Sequence, residues 1–163
     1  VFRSKLISIC QNYHEYVHQL FGLFAFTISA ALFPDYPVIY LLLVAIVASI
    51  LPDIDHIFYF YIYGRRQKYA TTVRSFVSKR QYHQALEYCR IHHKENYSII
   101  SHNLLTPILL IILANYFYHS FQPLFFTFCL STSFHFVFDI LEDLLVHGRL
   151  NPNWSFHFSL KDN

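Results

Sequence analysis

Apolar residues fill three long windows of the chain that no formal charge interrupts. No Asp, Glu, Lys or Arg falls between Glu15 and Asp35, between Asp35 and Asp53, or from Asn96 to Phe138. These windows predict four helices, over residues 16–33, 36–51, 98–118 and 123–141. Pro34-Asp35-Tyr36-Pro37 separates the first pair and His119-Ser120-Phe121-Gln122-Pro123 the second. Proline cannot sit inside a helix without losing a backbone hydrogen bond, so both strings read as turns. Each segment lies near the low end of the roughly 17–25 residues that a membrane-spanning helix needs. The expected fold is all-α: a membrane bundle of four short helices in two hairpins. A helical insert over about 59–97, Gly-poor and basic, lies between the hairpins. The competing fold is a soluble all-α protein with unusually buried helices.

Composition shifts the balance toward the membrane. Of 163 residues, 13% are charged, about half the usual share for a soluble domain. Apolar residues make up 55% and aromatic residues 20%. The length suits one domain over 1–163. Positive charge is distributed unevenly. Arg3 and Lys5 precede the first segment. Arg65, Arg66, Lys68, Arg74, Lys79, Arg80, Arg90 and Lys94 lie between the second and third, and Arg149 and Lys161 follow the fourth. The two short turns carry no Lys or Arg. This alternation predicts a multi-pass protein of the inner (cytoplasmic) membrane, with both termini and the insert on the cytoplasmic side. Tyr13, Tyr16, Tyr36, Tyr118 and Trp154 suit an interfacial belt. Within the insert, residues 72–92 lack Gly and Pro and predict a helix. Its cations could meet anionic lipid headgroups or a protein partner. No motif points to nucleic acid. Cys10, Cys89 and Cys129 are too few and too widely spaced for a disulfide framework or a thiolate zinc site.

The polar residues inside this apolar frame fall at one end of it. In an up-down-up-down bundle, His18 begins the first helix, Asp53 and Asp55 follow the second, His102 begins the third, and His135 and Asp139 lie near the end of the fourth. All six are expected at the cytoplasmic face. Pro52 predicts the end of the second helix near Leu51, with 53–55 extended so that both carboxylates project together. Two carboxylates so close favour a cation between them. His135 and Asp139, four apart, share one helix face and form a two-point ligand pair. His14 and His56 are expected to support the ligands from behind. Mixed His/Asp donors suit Zn²⁺ first, with Mn or Fe as alternatives, as one ion or two. Mg²⁺, which prefers oxygen ligands, fits less well.

Four strings then carry a resemblance: His18-Gln-Leu-Phe-Gly22, Leu51-Pro-Asp-Ile-Asp-His56, Ser101-His102-Asn103 and His135-Phe-Val-Phe-Asp139. Their order resembles the YdjM-like family, described as inner-membrane, metal-dependent hydrolases. The tail, Gly148-Arg149-Leu150-Asn151-Pro152 and then 156–159, also resembles that family's closing stretch. The family's His-Arg-Gly run before the third motif is replaced here by Tyr97-Ser98-Ile99, a departure that bears on substrate more than on metal. The resemblance implies a membrane-bound hydrolase that uses metal-activated water on a lipid-like or amphiphilic ester or phosphoester. Expected metal ligands are His18, Asp53, Asp55, His102, His135 and Asp139. Asp55 could also act as general base, and Arg149 could steady an anionic oxygen. Two other readings are a non-enzymatic membrane protein with a structural metal and a partner-binding insert, and a metal transporter. The transporter fits least, because it needs polar residues through the whole membrane thickness.

Overall fold

The computed structural model describes residues 13–92, 99–151 and 154–155. Arg3, Lys5, Cys10, Lys94, Lys161 and the stretch 156–159 lie outside them. Among the described residues all regular structure is helical. In chain order the α-helices are α1 (His14–Leu32), α2 (Val38–Ile50), α3 (Ile54–Phe58), α4 (Lys68–Ser78), α5 (Tyr82–His92), α6 (Leu105–His119) and α7 (Pro123–Glu142). Leu51–Asp53 forms a 3₁₀ turn, and Tyr59–Tyr63 and Asp143–His147 form wider π turns. The chain divides into two compact units, residues 13–52 with 104–150, and residues 53–92 with 99–103, 151 and 154–155.

The first unit is built around α7, which opens with Pro123 at its first turn, where a missing N–H costs nothing. It packs on α1, α2 and α6, and α1 also packs on α2. The interior mixes apolar residues such as Ala25, Leu41, Ala45 and Phe136 with many polar ones. Ser29, Ser49, Thr127, Ser131, Ser133 and His135 are all fully buried. Their hydrogen bonds go to helix backbone: Ser131 Oγ donates to the Ala45 carbonyl at 2.7 Å, and Ser133 Oγ to Cys129 at 2.7 Å. The exterior is apolar, with Leu20, Phe24, Val47, Ile108 and Ile112 each more than half exposed. An interior this rich in small and polar residues under an apolar outside departs from the soluble pattern and matches helices packed in lipid. Gly22 allows α1 and α2 to meet closely: a Cβ there would sit 2.7 Å from Ser49 Cβ and 3.0 Å from the Ala45 carbonyl.

Two helical runs among the described residues, Val38–Tyr63 and Pro123–Leu145, are long and apolar enough to cross a membrane. The helix expected over 98–118 starts only at Leu105 and has 15 residues. Its rise is about 22 Å, short of a hydrocarbon core of about 30 Å. The sequence expectation of four spans therefore meets two helical runs that qualify as spans, a 15-residue α6 that is too short, and a 19-residue α1 that is long enough but less apolar.

Two local expectations need correction. Pro52 does end α2, at Ile50, but the chain after it is not extended. Pro52 sits in the 3₁₀ turn ahead of α3, where its missing N–H is tolerated, and helical geometry resumes. Asp53 and Asp55 are then two apart on a helical path and do not share a face. The single helix expected over 72–92 is two helices. Arg80 adopts a left-handed conformation (φ 58°). Its N–H donates to the Val77 carbonyl and that of Gln81 to Phe76, both at 2.9 Å, the Schellman arrangement that stops a helix. Arginine stands where glycine is usual, so composition did not mark the break. Phe121 (φ 51°) ends α6 in the same way.

The second unit packs α4 on α5 and on the Tyr59–Tyr63 turn. Its core is Tyr59, Ala70 and Ile99, flanked by Phe60 and Tyr69. The Tyr59 hydroxyl donates to Gln67 Oε1 at 2.8 Å, and a Cβ at Gly64 would overlap the Tyr59 ring. That overlap explains the glycine.

Candidate metal centre

The polar end of the first unit is made by the start of α1 and the end of α7, which run antiparallel. His14 and His18 are one helical turn apart on α1. His135, Asp139 and Glu142 recur at one-turn spacing on α7. All but His14 are nearly sealed from solvent, with His18 at 1%, His135 at 0%, Asp139 at 5% and Glu142 at 4% exposure.

His135 defines the chemistry of this end. Its Nδ1 lies 2.7 Å from the Ser49 carbonyl, which can only accept, so Nδ1 carries the proton. In the neutral ring Nε2 is then a lone pair, and it faces Asp139 Oδ2 at 3.3 Å. On the other side of the carboxylate, Asp139 Oδ1 lies 3.3 Å from His18 Nε2. His18 stacks on His135 with ring centroids 3.8 Å apart, and its Nε2 lies 3.0 Å from His14 Nε2. His14 Nδ1 in turn lies 3.4 Å from Glu142 Oε1, which orients the ring with Nε2 inward.

Lone pairs and a carboxylate facing one another at these distances repel unless a proton or a cation lies among them. One donor atom each from His14, His18 and Asp139 lies within 4.8 Å of the others. First-row ions bind nitrogen and oxygen at about 2.0–2.1 Å, so the edge of a tetrahedral shell is about 3.4 Å. The 3.0–3.3 Å separations match that edge. The donor types, imidazole and carboxylate, suit a divalent transition ion. The cluster could therefore hold a metal.

Of the sequence-predicted residues, His18, His135 and Asp139 come together here. Asp53, Asp55 and His102 belong to the second unit. There, a carboxylate oxygen of Asp53 and a ring nitrogen of His102 lie within 4.8 Å of each other. The His56 ring stands edge-on to His102, with centroids 5.1 Å apart. Asp55 is engaged differently from the expectation. Its Oδ1 accepts from the Tyr63 hydroxyl at 2.7 Å and its Oδ2 from the Ser101 N–H at 2.8 Å. Ser101 Oγ lies 3.0 Å from His102 Nδ1. Asp55 thus holds the 100–103 loop that carries His102, and lies outside both His/Asp groupings found among the described residues. Arg149 is exposed, directly after Gly148 in its left-handed conformation.

Two residues carry more of this site than sequence reasoning assigned. His14, expected only as support, is a direct member, and Glu142 was not singled out. Both had a legible signal, since His14 precedes His18 by four and Glu142 follows Asp139 by three.

No curated protein and no solved structure matches the chain. A family model does, over residues 15–147, which runs from the second residue of α1 through the π turn after α7. The chain belongs to the family described as YdjM inner membrane protein.

Proposed function

We propose that this protein is a membrane-bound metal-dependent hydrolase, acting with water on a lipid-like or amphiphilic ester or phosphoester. The observation that carries the reading is the tethering of His135 Nδ1 to the Ser49 carbonyl, which turns a buried imidazole lone pair toward Asp139. Buried ionisable groups in a membrane protein are costly and usually functional. His18, His135 and Asp139 are the ligands proposed for a catalytic ion, while His14, whose Nε2 lies 3.0 Å from that of His18, stands beside the position kept for water and ligates only in the structural reading. Zn²⁺ is the first choice, Mn or Fe the alternatives, as one ion or two. A divalent ion bound there would supply the Lewis acidity that makes water nucleophilic near neutral pH. His14 is the accessible member, with 33% of its side chain exposed, and it has Glu142 behind it. That arrangement suits a group that takes up a proton. Asp55, already accepting two hydrogen bonds, is assigned to loop positioning rather than to general-base catalysis. Multi-pass insertion with the site at the cytoplasmic face belongs to the same proposal and is supported by the basic residues between 65 and 80.

A structural role for the metal is the second reading, and the near-complete burial of His18 and His135 favours it. The two readings differ at His14. Structural zinc is closed by four protein ligands, whereas a catalytic ion keeps a position for water. The test is elemental analysis of detergent-purified wild type beside His18→Ala, His135→Ala, Asp139→Ala and His14→Ala, followed by a screen of ester and phosphoester lipids. The hydrolase reading expects metal in the wild type and in His14→Ala, and little in the other three. It also expects turnover to be lost in all four variants. Metal lost from His14→Ala too, with no hydrolysis by the wild type, selects the structural reading. Metal-free wild type from metal-replete, chelator-free preparation would sink both.

A further inference from the structure

The second unit carries an ordered change of surface chemistry along a short stretch of chain. Ile57, Phe58, Tyr61 and Ile62 are exposed apolar side chains on α3 and the Tyr59–Tyr63 turn. Gly64 ends that run. Arg65, Arg66 and Lys68 follow at once, all exposed. Apolar, then Tyr-rich, then cationic is the order a chain meets on leaving a bilayer core for its headgroups. The scale agrees. A rise of about 1.5 Å per residue in an α-helix, and less in the wider π turn, carries the chain up to about 9 Å from Phe58 to Gly64. The interfacial layer on each side of the hydrocarbon core is about 5–8 Å thick.

The turn is also braced. Arg74 Nη2 on α4 donates to the Arg65 carbonyl at 2.6 Å, so the backbone bearing the cations is held from behind. Arg74 Nε–H is shielded from solvent and has no hydrogen-bond acceptor among the described residues. Enclosed in this way, Arg74 serves the turn as a brace and leaves the exposed Arg65, Arg66 and Lys68 to meet a phosphate. No Asp or Glu occurs between Asp55 and Glu87, so no carboxylate on this stretch competes for the cations.

We propose that the Arg65–Lys68 turn, with Arg74 behind it, is a binding site for the phosphate headgroup of an anionic bilayer phospholipid. Charge complementarity and the apolar residues directly before the turn fit a headgroup better than an acidic protein, whose docking would leave Phe58, Tyr61 and Ile62 uncovered. The inference rests on membership of an inner-membrane family and not on the metal proposal.

The test uses the full chain in detergent micelles doped equally with phosphatidylglycerol and phosphatidylcholine, with bound lipid counted by native mass spectrometry. Wild type is compared with Arg65→Gln/Arg66→Gln/Lys68→Gln and with a control, Lys79→Gln/Arg80→Gln, that removes exposed cations from the far end of α4. Each cation near an anionic surface contributes roughly a fivefold preference. The triple variant is therefore expected to lose at least about tenfold in its phosphatidylglycerol preference, and the control to keep the wild-type value. Wild-type preference should also collapse in about 0.5 M salt, a reading independent of the variant's folding. Equal retention of the two lipids by wild type overturns the proposal. So does a preference that survives the triple substitution, or one that the control loses equally. Co-purification of an acidic protein lost only in the triple variant, without any lipid preference, would assign the turn to that partner instead.

Discussion

The two ends of the first unit are built from the same helices and held by opposite chemistry. At one end Phe33, Ala114, Phe126 and Cys129 form an apolar cluster, with Phe33 and Phe126 edge to face at 5.4 Å. At the other, His14, His18, His135, Asp139 and Glu142 meet through ring nitrogens and carboxylates. α1 and α7 contribute to both ends. In a lipid surround the apolar end gains little from excluding water and relies on dispersion and ring geometry. The polar end is costly to bury and repays that only when its charges are matched. One end is therefore suited to holding helices together, the other to holding something between them.

Three substitutions sharpen that contrast. Phe126→Ala removes a large ring from the apolar end and should cost up to about 3–5 kcal/mol, the value for a water-excluding core. Chemical unfolding in mixed micelles would show this, and metal content per folded molecule should not change. A loss of metal there would mean that the ends are not independent. Gly22→Ala forces a Cβ into Ser49 and should cost about 1–3 kcal/mol by separating α1 from α2. Gly22 lies one turn from His18, so this variant alone should also weaken metal retention during dialysis against a chelator. Ser131→Ala deletes the hydrogen bond to the Ala45 carbonyl midway between the ends. Interhelical hydrogen bonds within membranes average about 0.6 kcal/mol, so its melting point should fall only slightly and its metal content should match wild type.

The sequence made the helices legible because charge-free windows bounded by prolines have few other readings. His135 and Asp139 were legible through one-turn spacing, and His18 through the predicted topology. His14, one turn before His18, was read only as support behind the ligands, and Glu142, one turn after Asp139, did not stand out among ten acids. The course of the chain after Pro52 was not legible. A proline marks the end of one helix without saying whether a second starts at once, and that difference moved Asp53 and Asp55 off a common face. The break at Arg80 was hidden for a related reason: the left-handed residue is stabilised by two backbone hydrogen bonds, and its side chain does not announce them. Asp55 was read as a ligand because its partners, Tyr63 and the Ser101 N–H, are distant in sequence or belong to the backbone.

The anchor that orients His135 has a genetic consequence. Its acceptor is the Ser49 carbonyl, an atom every amino acid supplies. Substitution at position 49 cannot delete it, so the pair leaves no covariation for a comparison of relatives to detect. Any pressure on residue 49 comes instead from the space beside Gly22. The orientation of the imidazole is inherited through the path of α2, and a mutational scan would find its determinants at helix-spacing positions rather than at the hydrogen bond itself.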